Sequence, residues 1–283
     1  MSDSGWEWDP TLYAGSATYY ARGRVSYPEE LVTALVAELA LDGSGHLLDV
    51  GCGPGSLTLL LAPWFERATG LDADAEMLVE GDRQARAAGI SNVAWVHMRA
   101  EDLPAGLGPF RAVTLAQSFH WMDRPRVARV LHSILATDGA VVHVHATTHE
   151  GVAGELTLPH PRPPRLEIDL LVTRFLGPRR RAGRGNRPDA RFDKEVIGLL
   201  EDEVYGAAGF RGRTRIEVPG RVVVRSADEV VASVFSLSSA APHLFGDRVS
   251  EFEAALRGLL REVSADGRFS EQMRAITADV WRP

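Results

Sequence analysis

The sequence predicts an α/β fold, an open, doubly wound and mostly parallel sheet flanked by helices. Three observations carry this expectation. Residues His46–Thr58, HLLDVGCGPGSLT, run from a short apolar strand (Leu47, Leu48, Val50) through a glycine-rich turn into an apolar helix start, Leu57 to Leu61. A second strand, Ala68–Leu71, ends in Asp72. Strand and helix signals then alternate as far as Ala146.

Taken in order, residues 1–12 read as a polar arm with two tryptophans, Trp6 and Trp8, a candidate for subunit contact in a homo-oligomer. Ser26 and Glu29 have the spacing of a capping box, and Leu31, Leu35 and Leu39 give a helical stripe to about Leu41. Tyr19, Tyr20, Arg22, Arg24 and Tyr27 crowd in front of that helix, either as solvated surface or as ligand-facing groups. Pro63 stops the helix after the glycine turn. Asp74 caps a helix from Glu76 to Ala88, ended by Gly89. Val93–Met98 and Phe110–Ala116 are the third and fourth strands. Asp123 caps the helix Pro125–Leu135, Thr137–Asp138–Gly139 turns the chain, and Ala140–Ala146 is the fifth strand.

Composition changes at Leu158, where LPHPRPP cannot be helical. Helices are expected at Leu166–Leu176, Phe192–Ala208, from Ser226 to about Leu237, and at Asp247–Val263. Residues 177–191 form a basic, glycine-rich loop, read as mobile surface or as a lid that steers an anionic acceptor. Arg213–Val218 and Arg221–Val224 are strand-like. Met273–Trp281 reads as a last strand, with a short helix left open by periodicity. The expected division is an N-terminal arm and cap helix (1–41), a cofactor-binding core (42–150), a helical insertion (151–212) and a C-terminal completion of the sheet (213–283).

The totals exclude several classes. A net charge of −7 over 283 residues argues against general nucleic-acid binding, which needs a basic footprint. The single cysteine, Cys52, forms no internal disulfide and fits a reducing cytoplasm. The N-terminus carries no apolar signal segment, and no run approaches a membrane span.

The glycine turn identifies its ligand by charge. Gly51, Gly53 and Gly55 let the backbone take positive φ and bring a ligand close. Asp49 lies two residues before the first glycine and would repel the pyrophosphate of a dinucleotide. The third glycine of the usual dinucleotide turn is replaced by Ser56. S-adenosylmethionine (SAM) has no phosphate and carries an ammonium and a sulfonium, which suit a neighbouring acid. Asp72, roughly 20 residues beyond the turn, stands where a ribose is bound through its hydroxyls.

DVGCGPG, GLDAD, AEDLP and AQSFHWMD, in this order and spacing, resemble the class I SAM-dependent methyltransferases, and within them the ubiquinone/menaquinone-type branch with its actinobacterial natural-product enzymes. The resemblance covers Tyr13 to Gly139. It implies a Rossmann-like sheet of seven strands with the last antiparallel, a helical N-terminal cap and a helical insertion after the fifth strand. It also implies SAM as cofactor and S-adenosylhomocysteine as product. In similar enzymes a Y-x-x-x-R element closes over SAM, and Tyr20 and Arg24 match it. The implied cofactor residues are Tyr20, Arg24, Asp49, Gly51, Gly53, Gly55, Asp72, Ala73, Ala100, Glu101 and Gln117. Arg99 stands where the family usually has Asp or Asn, which weakens a side-chain bond to the adenine amine from that position.

His120 titrates near neutral pH and is the candidate base or positioning group, with Tyr20 or Glu150 as helpers. Tyr19, Phe119, Trp121 and His149 are candidate pocket walls, Phe119 and Trp121 alternatively being core. Such walls suit a small phenol, quinone precursor or indole-like acceptor. The segment lacks the N-P-P-Y motif that goes with amine methylation on nucleic acids and proteins. His143 and His145 alternate on one strand, with His149 and Glu150 just after, a pattern of metal-ligand types. No metal is nevertheless expected, since the acidic residues of magnesium-dependent members are missing at Ala116–Gln117. A SAM-binding subunit without turnover, and less favourably an NAD-dependent oxidoreductase, are the competing readings.

Overall fold

Leu47 and Leu48 are adjacent in sequence and both fully buried. Alternate side chains of a strand point to opposite faces, so this strand is covered on both. The computed structural model describes residues 9–103, 107–154, 156–178, 181–182, 185–186 and 194–283. Trp6, Trp8 and most of the basic segment 177–191 lie outside the described residues.

In chain order, α1 spans Ala17–Gly23 and α2 Glu29–Glu38, followed by β1 (His46–Val50), α3 (Thr58–Leu61), β2 (Arg67–Asp72), α4 (Ala75–Ala87) and β3 (Val93–His97). Then come β4 (Phe110–Ala116), α5 (Arg124–Ile134), β5 (Leu135–His145) and α6 (Arg165–Leu176). Two-residue strands β6 (Arg181–Ala182) and β7 (Gly185–Asn186) pair antiparallel. The chain continues through α7 (Lys194–Ala207), β8 (Arg211–Val218), β9 (Val222–Ser226), α8 (Ala227–Phe235), α9 (Val249–Val263), β10 (Arg268–Gln272) and β11 (Ile276–Arg282).

The main sheet has seven strands in the order β3-β2-β1-β4-β5-β11-β8. The first five run parallel, and β11 is antiparallel to both neighbours, as the resemblance implied. The expected last strand at Met273–Trp281 is thus a strand, not a helix, and spans Ile276–Arg282. One face packs Leu47, Val142 and Val280 against Leu31 and Leu35 of α2. The other packs Leu48, Val113 and Val141 against Leu131 of α5 and Tyr205 of α7.

Several local expectations change. Ser26 caps nothing: α2 starts after Pro28, whose fixed φ suits a helix entry, and no side-chain cap bond forms there. The capping box sits instead at Ser226 and Glu229, at the head of α8. Tyr19 and Tyr20 lie within α1, a helix that the apolar spacing did not announce. Strand β5 begins at Leu135, before Ala140. Its partner jumps from Leu135 to Ala140 as β4 advances from Phe110 to Ala112, so the Thr137–Gly139 turn is absorbed as a bulge. Strand β10, also unannounced, pairs with β9 in a separate ribbon.

The chain divides into two units. One comprises residues 27–146, 190–219 and 275–283 and contains the main sheet. The other comprises 1–26, 147–189 and 220–274. Its apolar core gathers Phe235 of α8, Phe252 of α9 and Phe269 of β10. Buried Arg225 and half-buried Arg165 share the buried Glu271 carboxylate, at 3.0 and 2.7 Å, joining β9, α6 and β10. Among the described residues no helix is long and apolar enough to cross a membrane.

Trp95 of β3 imposes a constraint on the sheet unit that spacing alone does not reveal. Its ring lies so close to the backbone that a Cβ placed on Gly55, Gly70 or Gly81 would fall 2.5, 2.6 or 2.8 Å from it. Gly70→Ala therefore overpacks the β2–β3 contact, and is expected to cost about 1–3 kcal/mol in denaturant unfolding. Adding Trp95→Leu in the same chain should recover part of that loss, because the clash is with the indole.

Candidate functional site

Strands β1 to β4 are parallel, so the segments that follow them meet at one edge of the sheet, where α/β proteins bind ligands. After β1, Gly51, Gly53 and Gly55 take φ of 67°, 55° and 76°. The amides of Gly51 and Cys52 donate to the Leu71 carbonyl at 2.7 and 3.1 Å, pinning the turn to the end of β2. Asp72 completes that clamp. Its Oδ2 accepts from the Gly53 amide at 2.7 Å and its Oδ1 from the Asp74 amide at 2.9 Å. Two of about four acceptor positions are thereby used, and the rest remain for hydroxyl donors. Burial raises the Asp72 pKa to about 6 against the pull of the two amides, and the charges of Asp74 and Asp49 add to the rise.

Asp49 lies beneath the turn and is 1% exposed. Its oxygens accept from the hydroxyls of Thr58 at 2.6 Å and Thr114 at 2.7 Å. Burial raises its pKa. At that depth the carboxylate can act on a ligand at the turn only through space. Burial, and then the charges of Asp72 and Asp49, push the Cys52 thiol well up, which leaves it a packing residue.

Ala73, half-buried after β2, has its carbonyl 3.1 Å from His97 Nε2. Ala100 is buried in a 3₁₀ turn, Ala100–Asp102. Glu101 in that turn accepts from the Asp123 amide at 2.9 Å and pairs with Arg99 at 3.5 Å. The carboxylate thus ties the loop after β3 to the head of α5, and Arg99, the departure from the family pattern, is its partner.

Beyond β4, Gln117 has φ 59°, a left-handed conformation uncommon for a side-chain-bearing residue and concentrated at functional sites. Its amide donates to the Val144 carbonyl at 3.3 Å. Ser118 Oγ donates to the Val50 carbonyl at 2.6 Å, and a Cβ on Gly51 would lie only 2.4 Å from Ser118 Cβ. The first glycine is thus needed for this contact as well as for its φ. Phe119 is fully buried and stacks on Tyr205, ring centroids 5.3 Å apart. It is core, the alternative its sequence left open. His120 is exposed and Trp121 half-buried, their rings 5.1 Å apart. Although the residue is exposed overall, desolvation of the ring on its protein side, and then the charge of Arg124, push its pKa down to about 4, below the near-neutral titration expected of its residue type.

The second unit holds the remaining candidates. Arg24, directly after α1, stacks over Tyr20 at 4.4 Å. It donates to Ser236 Oγ at 2.9 Å and to the Ser236 carbonyl at 3.1 Å, and lies 3.4 Å from His149 Nδ1. His149 Nε2 is 3.7 Å from Glu150. Tyr19 packs on Phe235, centroids 4.9 Å apart. Tyr20, Arg24 and His149 are therefore brought together, while Tyr19 joins the unit's core.

Thr58, Thr114 and Ser118 were not picked out from sequence. The available signal was a buried acid: Asp49, flanked by Leu48 and Val50, needs hydrogen-bond partners, and only hydroxyls or amides on neighbouring elements supply them.

A family described as "Methyltransferase domain" matches residues 47–139. A protein of Saccharomyces cerevisiae named "Probable S-adenosylmethionine-dependent methyltransferase CRG1" is 27% identical over 126 residues, 44% of this chain and 43% of the yeast protein. The "Uncharacterized methyltransferase Mb3374" of Mycobacterium bovis is 38% identical over 128 residues, 44% of this chain and 49% of that one. The chain thus spans about half the length of the curated relatives it matches. A SAM-dependent methyltransferase from Geobacter sulfurreducens, solved with S-adenosyl-L-homocysteine, superposes with a TM-score of 0.51 at 14% identity, over 97% of this chain and 98% of that one, and shares the fold. Residues 47–139, which hold the glycine turn, Asp72 and the segment after β4, are thus the part of this chain that is similar to a methyltransferase domain.

Proposed function

We propose that this chain transfers a methyl group from SAM to a small aromatic or heterocyclic acceptor by direct in-line displacement, leaving S-adenosylhomocysteine. The observation that carries the reading is the Asp72 clamp, which joins a bare-backbone turn to a carboxylate with acceptor capacity to spare. These groups fit a ligand that presents ribose hydroxyls and cationic centres without phosphate.

When bound, SAM supplies a methyl group on a good sulfonium leaving group, so the protein contributes mainly alignment. The backbone at Gly51, Gly53 and Gly55 takes the methionine portion, and the field of Asp49 favours its cations. Asp72 accepts the ribose hydroxyls. Ala73, Ala100 and Gln117 border the nucleoside, with Glu101 fixing the loop after β3 that carries Ala100. Tyr20 and Arg24 act as a stacked pair suited to a carboxylate. His120 receives the acceptor's proton or orients its reacting atom, since its neutral imidazole has a lone pair to offer. Trp121 offers aromatic surface to the acceptor, and Phe119 backs that segment from the core. The acidic net charge favours a small acceptor over a polyanion.

Titration calorimetry tests the cofactor half. A protonated Asp72 loses lone pairs to the ribose, so SAM affinity should be full above about pH 7 and about tenfold weaker at pH 5, given a pKa near 6. Asp72→Asn should bind weakly at both pH values, with the pH dependence flattened. Retention of that dependence in the variant would assign it to another group.

Product assays test the acceptor half. His120→Ala is expected to lose about a hundredfold in turnover while binding SAM normally. Wild-type turnover in this variant on the true acceptor would remove His120 from the mechanism. SAM binding without S-adenosylhomocysteine formation on any phenol, quinone precursor or indole would favour a regulatory subunit. Turnover on RNA that falls steeply with salt would reassign the acceptor.

A further inference from the structure

The sheet unit holds a second group of chemistry-bearing side chains that the methyl-transfer reading does not use. His143 and His145 lie two apart at the end of β5, on one face, and Glu201 of α7 stands opposite them. His143 Nδ1 is 3.5 Å and His145 Nε2 3.4 Å from the same oxygen, Glu201 Oε2. One ligand atom from each of the three residues lies within 4.8 Å of the others.

These separations exceed the roughly 2.7–3.2 Å of a good N–H···O hydrogen bond. They match the edge of a tetrahedron of N and O ligands set 2.0–2.1 Å from a common centre, which is about 3.4 Å. His143 Nδ1 is buried and has no hydrogen-bond partner. A buried polar atom left unpaired costs about 1–3 kcal/mol, so a native fold requires an account of it.

We propose that His143, His145 and Glu201 together bind one zinc ion, which fastens α7 to β5. Two imidazoles and one carboxylate are a donor set that zinc accepts, with a fourth position open to water. Hard cations such as magnesium prefer all-oxygen sites. Asp279 of β11 lies 3.5 Å from His145 Nε2, but Arg215 holds both its oxygens, at 2.8 and 2.7 Å. Asp279 is therefore committed to Arg215 and is not a ligand. Arg213 and Arg124 add positive charge nearby, so the site favours an ion bound strongly by nitrogen over one held by charge alone. His149 and Glu150, which the sequence pattern grouped with these histidines, belong to the other unit and take no part. The site departs from the metal-free expectation, and it stands independently of the methyl-transfer reading.

The test uses the full chain without an affinity tag, stripped with chelator and titrated with zinc against a chromophoric competitor. One zinc per chain and a higher unfolding temperature with zinc are expected. Glu201→Gln and His145→Gln should each weaken zinc binding roughly tenfold or more. His149→Gln should bind as wild type does. The proposal is overturned if wild-type protein binds no zinc, or if both ligand variants bind it undiminished. Should the variants fail to fold, cobalt substitution of the wild type decides. An intense tetrahedral cobalt spectrum supports the site, and the weak spectrum of hydrated cobalt overturns it.

Discussion

A buried carboxylate organises the cofactor end of this chain. Asp49 sits at the penultimate position of β1 and accepts a hydroxyl from α3 and another from β4. A charge at that depth is tolerated only when fully hydrogen-bonded, so Thr58 and Thr114 are fixed wherever Asp49 is fixed. Thr58 starts the helix that follows the glycine turn, and Thr114 belongs to the strand that leads to Gln117 and His120. One acid thereby sets the turn and the loop after β4 in register with each other. Hydrogen bonds to a charged group contribute roughly 1.5–3 kcal/mol each, and they add to the apolar packing of Leu57, Leu61, Val113 and Leu115 on the same two elements.

The architecture was largely legible because the sheet is buried on both faces. Leu47–Val50, Ala68–Leu71 and Phe110–Ala116 are short apolar runs closed by glycine or polar residues, and runs of that kind leave few alternatives. Less was legible where tertiary contact overrides local pattern. Helix α1 has no apolar stripe of the usual kind, and it buries Ala17 and Gly23 in a unit assembled from distant segments. Ser26 has a capping spacing, yet Pro28 takes over the helix start.

The candidate site divides in the same way. The glycines and Asp72 are backbone chemistry, written in residue types that tolerate few other uses, and they were named from sequence. Glu101 was read as a ligand residue, and its carboxylate is engaged by the Asp123 amide and Arg99. Glu201 lies fifty-odd residues beyond the histidines it faces, on a helix whose approach to β5 no spacing encodes. His143 and His145 could be seen as a pair; their third partner required the fold.

The position of β11 inside the sheet has a consequence for synthesis. It lies between β5 and β8, so β8 reaches the sheet only through it. Residues 276–282 leave the ribosome some 130 residues after β5, on the order of ten seconds later at ordinary elongation rates. Throughout that interval the outer edge of β5 presents unpaired amides and carbonyls, the feature through which strands of separate chains join. The emerging polypeptide is thus most vulnerable to mispairing just before β11 appears, and chaperone demand should concentrate there.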